Sequence, residues 1–266
     1  MAKTVADVMK MVKENEVKFV DFRFTDTRGK QQHTTVPVSH FDEDKFISGH
    51  AFDGSSIAGW KGIEASDMQL IPDPNSANID PFFEETTLIL TCDVIEPSDG
   101  KAYDRDPRSI AKRAEAYLKA SGLGDTAYFG PEPEFFIFDG VRWSTEPNHT
   151  FYEIEEYEAP WNTGSKLEGG NRGHRPTVKG GYFPVPPVDS TQDMRAEMSL
   201  ILESLGIPVE VFHHEVAGAG QNEIGTRFST LVERADWTML QKYVIHNVAN
   251  AYGKTATFMP KPYHGD

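Results

Sequence analysis

The sequence is poor in cysteine and has no long apolar run. Cys92 is the only cysteine among 266 residues, so an intrachain disulfide is excluded. A chain without a disulfide framework suits a reducing compartment, and we expect a soluble protein of the cytoplasm. The longest apolar stretches, such as residues 87–92, are far too short to cross a bilayer, and the first residues lack the apolar segment of a signal peptide.

Basic residues are scarce relative to acidic ones. Lysine and arginine together number 26 against 41 aspartates and glutamates, which gives a formal net charge of −15. A protein that binds nucleic acid needs a basic face to neutralise phosphates, so this balance disfavours that class. Apolar residues make up 38% of the chain, which is enough for a folded core, and the length suggests about two domains.

Four glutamates stand out because they lie in two short segments with apolar or aromatic neighbours. Glu132 and Glu134 belong to the segment Phe-Gly-Pro-Glu-Pro-Glu-Phe, and Glu215 and Glu223 flank the turn Ala-Gly-Ala-Gly. Side chains two apart on a strand share a face, and a hairpin closed by that turn would place the second pair roughly opposite each other. Carboxylates in apolar sequence need a partner, so the two pairs predict a site for a hard divalent cation with oxygen ligands.

Hydrophobic periodicity and capping signals predict helices and strands in both halves of the chain. A helix is expected at residues 4–16, capped by Thr4 with Asp7, and two strands follow around a turn at residues 26–29. The other predicted elements are a loop at 52–74, a strand at 86–94, a helix from Pro107 to about residue 120, an irregular stretch at 141–189, a helix capped by Ser190 with Asp193, a helix at 231–252 and a strand at 254–259. We place a domain boundary between residues 104 and 105, just before the helix that Asp106 caps.

Several of these residues also have a plainer interpretation. Adjacent strand residues face opposite sides, so we expect His213 and His214 to be ordinary strand histidines rather than zinc ligands. The acidic run at residues 153–158 is expected to be a solvated surface. Asp53, in Asp-Gly-Ser-Ser, is typical of a turn aspartate that bonds its own backbone, and Trp60 is open to a plain packing role.

Five segments in register along the whole chain resemble glutamine synthetase of the bacterial type. They are Phe-Asp-Gly-Ser-Ser-Ile followed by Trp60, the Phe-Gly-Pro-Glu-Pro-Glu-Phe segment, a glycine-rich segment from Glu168 to Pro187, His-His-Glu-Val through Gln-Asn-Glu-Ile-Gly, and Lys-Thr-Ala-Thr-Phe-Met-Pro-Lys-Pro. The resemblance implies an α+β fold. A small β-grasp-like domain would occupy residues 1–104, and residues 105–266 would form the N-terminal portion of a mixed-sheet catalytic domain with helices packed on it.

The resemblance implies an ATP-dependent ligase that joins ammonium to glutamate through a γ-glutamyl phosphate. Mg²⁺ or Mn²⁺ would occupy two or more positions in each site, and phosphoryl transfer needs mainly the positioning and positive charge that such ions supply. The implied partners are glutamate, ammonium and ATP, with no nucleic acid and no membrane. The family assembles as stacked hexameric rings with active sites between subunits, so a homo-oligomer is implied as well.

The resemblance also assigns the metal ligands by position. Glu134, Glu215 and Glu223 resemble the ligands of one metal ion, near the glutamate and ammonium. Glu132 resembles a ligand of a second ion, near the nucleotide phosphates.

The ammonium and nucleotide sites are implied in the same way. Asp53 resembles the residue that binds ammonium and takes its proton, reaching in from the neighbouring subunit, and an anionic base suits that role. Ser56, Tyr182 and Glu215 resemble other residues that line the ammonium site. The residues that resemble the nucleotide pocket are Trp60, Glu210 and Phe228.

The family continues past residue 266 into a glutamate-binding loop and further metal ligands. We therefore expect this 266-residue chain to be inactive by itself and poorly folded, because a sheet in the second domain would lose strands. ATP-dependent hydroxamate formation from glutamate and hydroxylamine would contradict that expectation. One alternative is a truncated, non-catalytic relative that assembles with full-length subunits. A weaker one is a glutamate–polyamine ligase, against which the ammonium-site residues Asp53, Ser56 and Tyr182 argue.

Overall fold

The computed structural model describes residues 2–164 and 173–266. The start of the predicted glycine-rich segment, at residues 168–171, lies outside the described residues. By its internal contacts the chain forms two compact units. Unit 1 comprises Met1–Phe129 with Ser229–Met239, and unit 2 comprises Gly130–Phe228 with Leu240–Asp266.

Helices and strands are mixed along the chain. The helices are α1 (Val5–Glu14), α2 (Lys45–Ser48), α3 (Pro107–Ser121), α4 (Gln192–Ser204) and α5 (Leu231–Ala251). The strands are β1 (Phe19–Thr25), β2 (Gln31–Pro37), β3 (His50–Asp53), β4 (Asp67–Pro72), β5 (Asn78–Ile79), β6 (Thr87–Ile95), β7 (Tyr128–Phe129), β8 (Glu134–Phe138), β9 (Gly140–Glu146), β10 (His149–Glu155), β11 (Val209–His214), β12 (Gln221–Thr226), β13 (Ser229–Thr230) and β14 (Thr255–Thr257).

Unit 1 is built on a mixed sheet in the strand order β2-β1-β6-β4-β3, with β5 beside β6. β1 and β6 run parallel, and the other neighbours are antiparallel. Helix α1 packs Val8 and Val12 into the core of this unit. The predicted capping box is confirmed, because the Asp7 N–H donates to the Thr4 hydroxyl and the Thr4 N–H donates to the Asp7 carboxylate. The predicted strand–turn–strand at the start of the sheet is confirmed as β1 and β2.

One prediction in unit 1 is wrong. The stretch at residues 52–74 was expected to be loop, but it contains the end of β3 and the whole of β4. Met68 and Leu70 of β4 are fully buried on one face, and the strand pairs with both β3 and β6. Gly, Ser, Asp and Pro residues around β4 are typical of loops, and the apolar alternation of the strand covers only a few residues. The segment was therefore predicted as a loop.

Helix α3 belongs to unit 1 by its contacts. Asp106 caps it by accepting from the Arg108 and Ser109 N–H groups, as predicted, and Gly122 ends it in the left-handed conformation. Arg108 forms ion pairs with Asp73 before the helix and with Asp93 of β6. Because α3 belongs to unit 1, the first break between the compact units falls after Phe129. The domain boundary between residues 104 and 105 stays a prediction.

Unit 2 is built on an antiparallel sheet in the order β11-β12-β8-β14 and a separate hairpin, β9–β10. The hairpin lies where an irregular stretch was predicted, so that prediction is wrong over residues 141–155. Trp143 and Tyr152 on the hairpin are 68% and 59% exposed, so the alternation of a half-buried strand is missing. Helix α4 is present as predicted, but the Ser190 hydroxyl donates to Glu158 rather than capping the helix.

No helix among the described residues is both long enough and apolar enough to span a membrane.

Candidate metal centre

A row of three polar side chains crosses the unit 2 sheet. In the strand register, His213 of β11 lies opposite Glu223 of β12, and Glu223 lies opposite Glu134 of β8. Glu215 follows the end of β11, and its N–H donates to the Gln221 carbonyl at 2.8 Å. The predicted hairpin is therefore confirmed, but its register pairs Glu223 with His213, and Glu215 sits at the turn.

His213, Glu215 and Glu223 come together as a compact ligand set. One ligand atom from each lies within 4.8 Å of the others. His213 Nδ1 is 3.5 Å from Glu215 Oε1, and His213 Nε2 is 3.8 Å from Glu223 Oε2. The three side chains are only 10–15% exposed.

Sequence reasoning missed His213 as a member of this site. The opposite orientation of His213 and His214 argues against zinc ligation by the pair, but it does not exclude a role for His213 with other ligands. The useful signal was the spacing of His213 and Glu215, because residues two apart on a strand share a face.

Like charges crowd the site. Partial burial, followed by the Glu215 and Glu132 carboxylates, raises the pKa of Glu134. Burial and a hydrogen bond with Glu215 raise the pKa of Glu223. Several carboxylates and one imidazole gathered in this way are a suitable donor set for Mg²⁺ or Mn²⁺, because a divalent cation neutralises the repulsion and prefers such oxygen ligands. The residues present therefore fit the metal that the sequence implies.

Gln221 connects the turn to this site. Its Nε2 donates to Glu134 Oε2 at 2.6 Å, and its Oε1 accepts from the Ala217 N–H at 2.8 Å. Gly220 has a φ of +70°, and a Cβ there would lie 2.4 Å from the Ile137 carbonyl oxygen. The small residues of the turn therefore let the hairpin close against β8.

A layer of buried polar groups lies beside the centre and corrects the expected solvated surface. Glu153 and Glu155 are exposed, but Glu156 and Glu158 are only 2% and 1% exposed. Glu158 Oε2 lies 2.6 Å from His214 Nε2, and both side chains are buried. The run was misjudged because the chain leaves β10 at residue 155 and turns inward, which a count of acidic residues does not reveal.

Replacing Glu156 by glutamine is expected to stabilise the protein in alkaline solution. Burial and the Glu158 carboxylate raise the pKa of Glu156 from 4.5 to about 9, with Asp139 adding to this effect and Lys254 opposing it. Because the folded pKa lies above the unfolded value, the folded state loses stability as the pH rises from 4.5 towards 9. Glutamine does not titrate, so the gain in unfolding free energy should be near zero at about pH 4 and should reach about 5 kcal/mol at about pH 8.

Urea unfolding across this pH range checks the prediction for Glu156→Gln. The matched control is Glu153→Gln, which removes a carboxylate from the exposed part of the same run. The control should show no gain that grows with pH. A difference between Glu156→Gln and wild type that stays constant with pH would contradict the prediction.

Tyr182 lies beside the metal centre, whereas Glu210 and Phe228 lie at the other end of the hairpin. The Tyr182 ring is half exposed, and its centroid is 5.7 Å from that of His213. Glu210 is exposed near the start of β11, which pairs with the end of β12, and Phe228 follows β12 with its ring 53% exposed. Their predicted roles at the ammonium and nucleotide sites stay predictions.

Asp53, Ser56 and Trp60 belong to unit 1. Asp53 is exposed and accepts hydrogen bonds from the N–H and hydroxyl of Ser55 and from the hydroxyl of Ser56. The two bonds from Ser55 are the main cause of a lowered pKa of Asp53, so this carboxylate stays ionised at neutral pH. The Trp60 indole is buried against Phe24 and other aromatic rings, which is the packing role considered above, and its nucleotide role stays a prediction.

The fold and the site together define an α+β protein with a candidate divalent-metal centre on an antiparallel sheet. The glutamine synthetase β-grasp domain model matches residues 16–97, and the glutamine synthetase catalytic domain model matches residues 104–266. The chain belongs to the glutamine synthetase family. The resemblance and the predicted fold class, with a β-grasp-like domain before a catalytic domain, are thereby confirmed.

Known proteins similar to this chain include a mutase as well as glutamine synthetases. A 3-hydroxylaminophenol mutase of Cupriavidus pinatubonensis is 77% identical over all 266 residues, and a glutamine synthetase of Vibrio cholerae is 59% identical over 263 residues. The chain spans 56% of the length of each of these relatives. A glutamine synthetase of Plasmodium falciparum, solved by electron cryo-microscopy, matches 99% of this chain with a TM-score of 0.88 and 27% identity, and 52% of that chain is covered.

Proposed function

We propose that the chain supplies the N-terminal half of the active site of an ATP-dependent glutamate–ammonia ligase. The observation that carries this proposal is the set of carboxylates in unit 2, where Glu134, Glu215 and Glu223 approach one another with His213 among them. Repulsion between these groups favours a bound cation. Family membership connects that cation to the formation of glutamine through a γ-glutamyl phosphate.

In this proposal the acidic residues of unit 2 hold divalent cations. Glu134, Glu215 and Glu223 would hold one Mg²⁺ or Mn²⁺ ion, and Glu132 would contribute to a second. Such ions supply positive charge that neutralises a transferring phosphoryl group. Gln221 orients the Glu134 carboxylate by donating to one of its oxygens, which leaves the other oxygen available to the cation.

Asp53 is the proposed base for ammonium. Its carboxylate is ionised at neutral pH, so it attracts ammonium and is in the charge state that can take up a proton. Ser56 and Tyr182 would line the same ammonium site. The loop of Asp53 would serve the site of a neighbouring subunit, in a homo-oligomer of stacked hexameric rings in the cytoplasm.

The three residues proposed to contact the nucleotide differ in their exposure. Phe228 is exposed, and the Arg227 guanidinium lies 5.9 Å from its ring centroid, so a purine base has an aromatic face and a cation to stack on. Glu210 is exposed and open to polar contacts with the ribose. Trp60 is buried among aromatic rings, so its surroundings suit a packing role better than a contact with the nucleotide.

A second candidate activity comes from the 77% identity to the 3-hydroxylaminophenol mutase. A mutase rearranges a single substrate, and such a rearrangement has no stoichiometric need for ATP or glutamate. The two candidate activities are therefore distinguished by an assay with and without ATP and glutamate. The ligase activity requires both, whereas conversion of 3-hydroxylaminophenol does not.

Titration of the purified 266-residue chain with Mn²⁺ tests the proposal, because the carboxylates and His213 are all within this chain. We expect saturable binding by calorimetry or by Mn²⁺ electron paramagnetic resonance, and competition by Mg²⁺. Glutamine formation is then measured on the protein purified from its native source, at its natural length. We expect this activity to depend on ATP, glutamate and ammonium. A chain that is folded and binds no Mn²⁺ would rule out the proposed centre.

A further inference from the structure

Glu158 is a buried carboxylate of unit 2, and both of its oxygens make hydrogen bonds. Its Oε1 accepts hydrogen bonds from the Ser190 N–H at 2.6 Å and from the Ser190 hydroxyl at 2.7 Å. Its Oε2 lies 2.6 Å from His214 Nε2. Both oxygens are therefore used, and one of them is directed at an imidazole that immediately precedes a proposed metal ligand.

The far side of that imidazole contacts the main chain. His214 Nδ1 lies 2.7 Å from the carbonyl oxygen of Glu215. A carbonyl only accepts hydrogen bonds, so Nδ1 must carry a proton and donate it. Glu158 thus fixes the ring from one side, and the ring holds the backbone of Glu215 from the other.

The same stretch of backbone holds the segment that carries Tyr182. The Gly181 N–H donates to the Val216 carbonyl at 3.0 Å, and the Phe183 N–H donates to the His214 carbonyl at 3.4 Å. A Cβ at Gly181 would lie 2.6 Å from the Glu215 carbonyl oxygen and 2.8 Å from His214 Cε1, so only glycine fits there. Movement of the His214 ring would therefore disturb Glu215 and Tyr182 together.

We propose that Glu158 is a positioning residue for the metal centre, acting through His214 on the main chain of Glu215. It does not touch the cation site itself. The inference rests on the proposed function, because it presumes that Glu215 is a metal ligand. It assigns a role to part of an acidic run that, from sequence, was expected to be a solvated surface.

The first test compares Glu158→Ala with Glu158→Gln by Mn²⁺ titration of the purified protein at the length that the cell makes. Alanine leaves the ring unsupported, and loss of such an outer-shell partner should weaken Mn²⁺ binding about 10- to 100-fold. Glutamine accepts from Ser190 through Oε1 and donates to the neutral ring through Nε2, so Nδ1 still donates to Glu215. Its Mn²⁺ affinity should therefore stay within about threefold of wild type. The matched control for loss of charge is Glu153→Gln, on the exposed part of the run.

A second pair of variants keeps the inference testable if Glu158→Ala does not fold. In His214→Asn the side-chain amide takes the place of Nδ1 and still donates to the Glu215 carbonyl. In His214→Gln the amide takes the place of Nε2, so it contacts Glu158 but leaves that carbonyl without its donor. We expect His214→Gln to lose about tenfold or more in Mn²⁺ affinity and His214→Asn to lose less.

Circular dichroism establishes which variants are folded before their Mn²⁺ affinities are compared. A folded wild type that binds no Mn²⁺ overturns the proposed function. Wild type that binds, with a folded Glu158→Ala variant within about threefold of it, overturns the positioning role alone. Equal losses in His214→Asn and His214→Gln overturn it as well, because a merely structural histidine would not distinguish the two amides.

Discussion

Replacing Glu223 by glutamine is expected to abolish the stabilisation by Mn²⁺ while leaving the metal-free protein at least as stable as wild type. Burial and the hydrogen bond with Glu215 raise the pKa of Glu223, so its ionisation in the folded state is unfavourable. A carboxyl with a raised folded pKa costs stability as the pH rises above its unfolded value, and that cost is fully present above the folded value. Glutamine removes the charge at almost the same volume.

The metal-bound state should respond in the opposite direction. Wild type should gain about 2.7 kcal/mol of unfolding free energy at a free Mn²⁺ concentration of about 100 times the dissociation constant. The variant lacks one of the three clustered ligands. It should show little or none of this gain at the same concentration.

Thermal unfolding with and without Mn²⁺ measures both halves of this prediction. The control is Glu203→Gln, a change in an exposed residue of α4 that should alter neither curve. Equal Mn²⁺-induced shifts in Glu223→Gln and wild type would show that the ion binds elsewhere. A metal-free variant that unfolds well below wild type would show that the carboxylate stabilises the fold without a cation.

Local sequence signals predicted the elements that depend on neighbouring residues. The capping box of Thr4 and Asp7 and the cap of Asp106 involve residues two or three apart, so the short segment that contains them determines their geometry. The carboxylate pairs were also detectable, because Glu134 is followed by Phe135 and Glu223 by Ile224, and carboxylates set among apolar residues need a partner.

Features that depend on distant parts of the chain could not be predicted in this way. The burial of Glu158 depends on His214, which lies 56 residues further along the chain. The sequence around either residue contains no local signal for this contact. The β9–β10 hairpin lacks a buried face, so its sequence has no alternation to detect. The register that brings His213 to Glu223 depends on how the turn closes. A shift of one residue would move every side chain of the strand to the other face of the sheet.

Replacing Arg108 by methionine is expected to destabilise unit 1 by about 3–5 kcal/mol, because it removes the shared partner of three carboxylates. The Arg108 side chain is 7% exposed, and its guanidinium lies 2.6 Å from Asp73, 2.5 Å from Asp93 and 3.0 Å from Asp236. Burial is the main cause that raises the pKa of Asp236, the Asp73 carboxylate adds to it, and Arg108 opposes it. Without the guanidinium, Lys112, which pairs with Asp93, remains as a nearby cation.

The three carboxylates lie on separate stretches of unit 1, so Arg108 holds those stretches together. Asp93 is on β6, Asp236 is on the first turns of α5, and Asp73 follows β4. Arg108→Lys should recover only part of the loss, because an ammonium group lacks the planar fork that reaches three partners. Lys112→Met should cost less than about 1 kcal/mol, because Lys112 is 41% exposed and Asp93 keeps its bond to Arg108.

Combining the arginine variant with Asp236→Asn separates charge from packing. If the loss comes from uncompensated buried charge, the Arg108→Met/Asp236→Asn double variant should be more stable than Arg108→Met, because one of the stranded charges is gone. Urea unfolding of the four proteins of this cycle gives the coupling free energy. A loss below about 1 kcal/mol for Arg108→Met would mean that the carboxylates reach water or protonate easily when the guanidinium is removed. In that case the cluster would contribute to local geometry and little to the stability of unit 1.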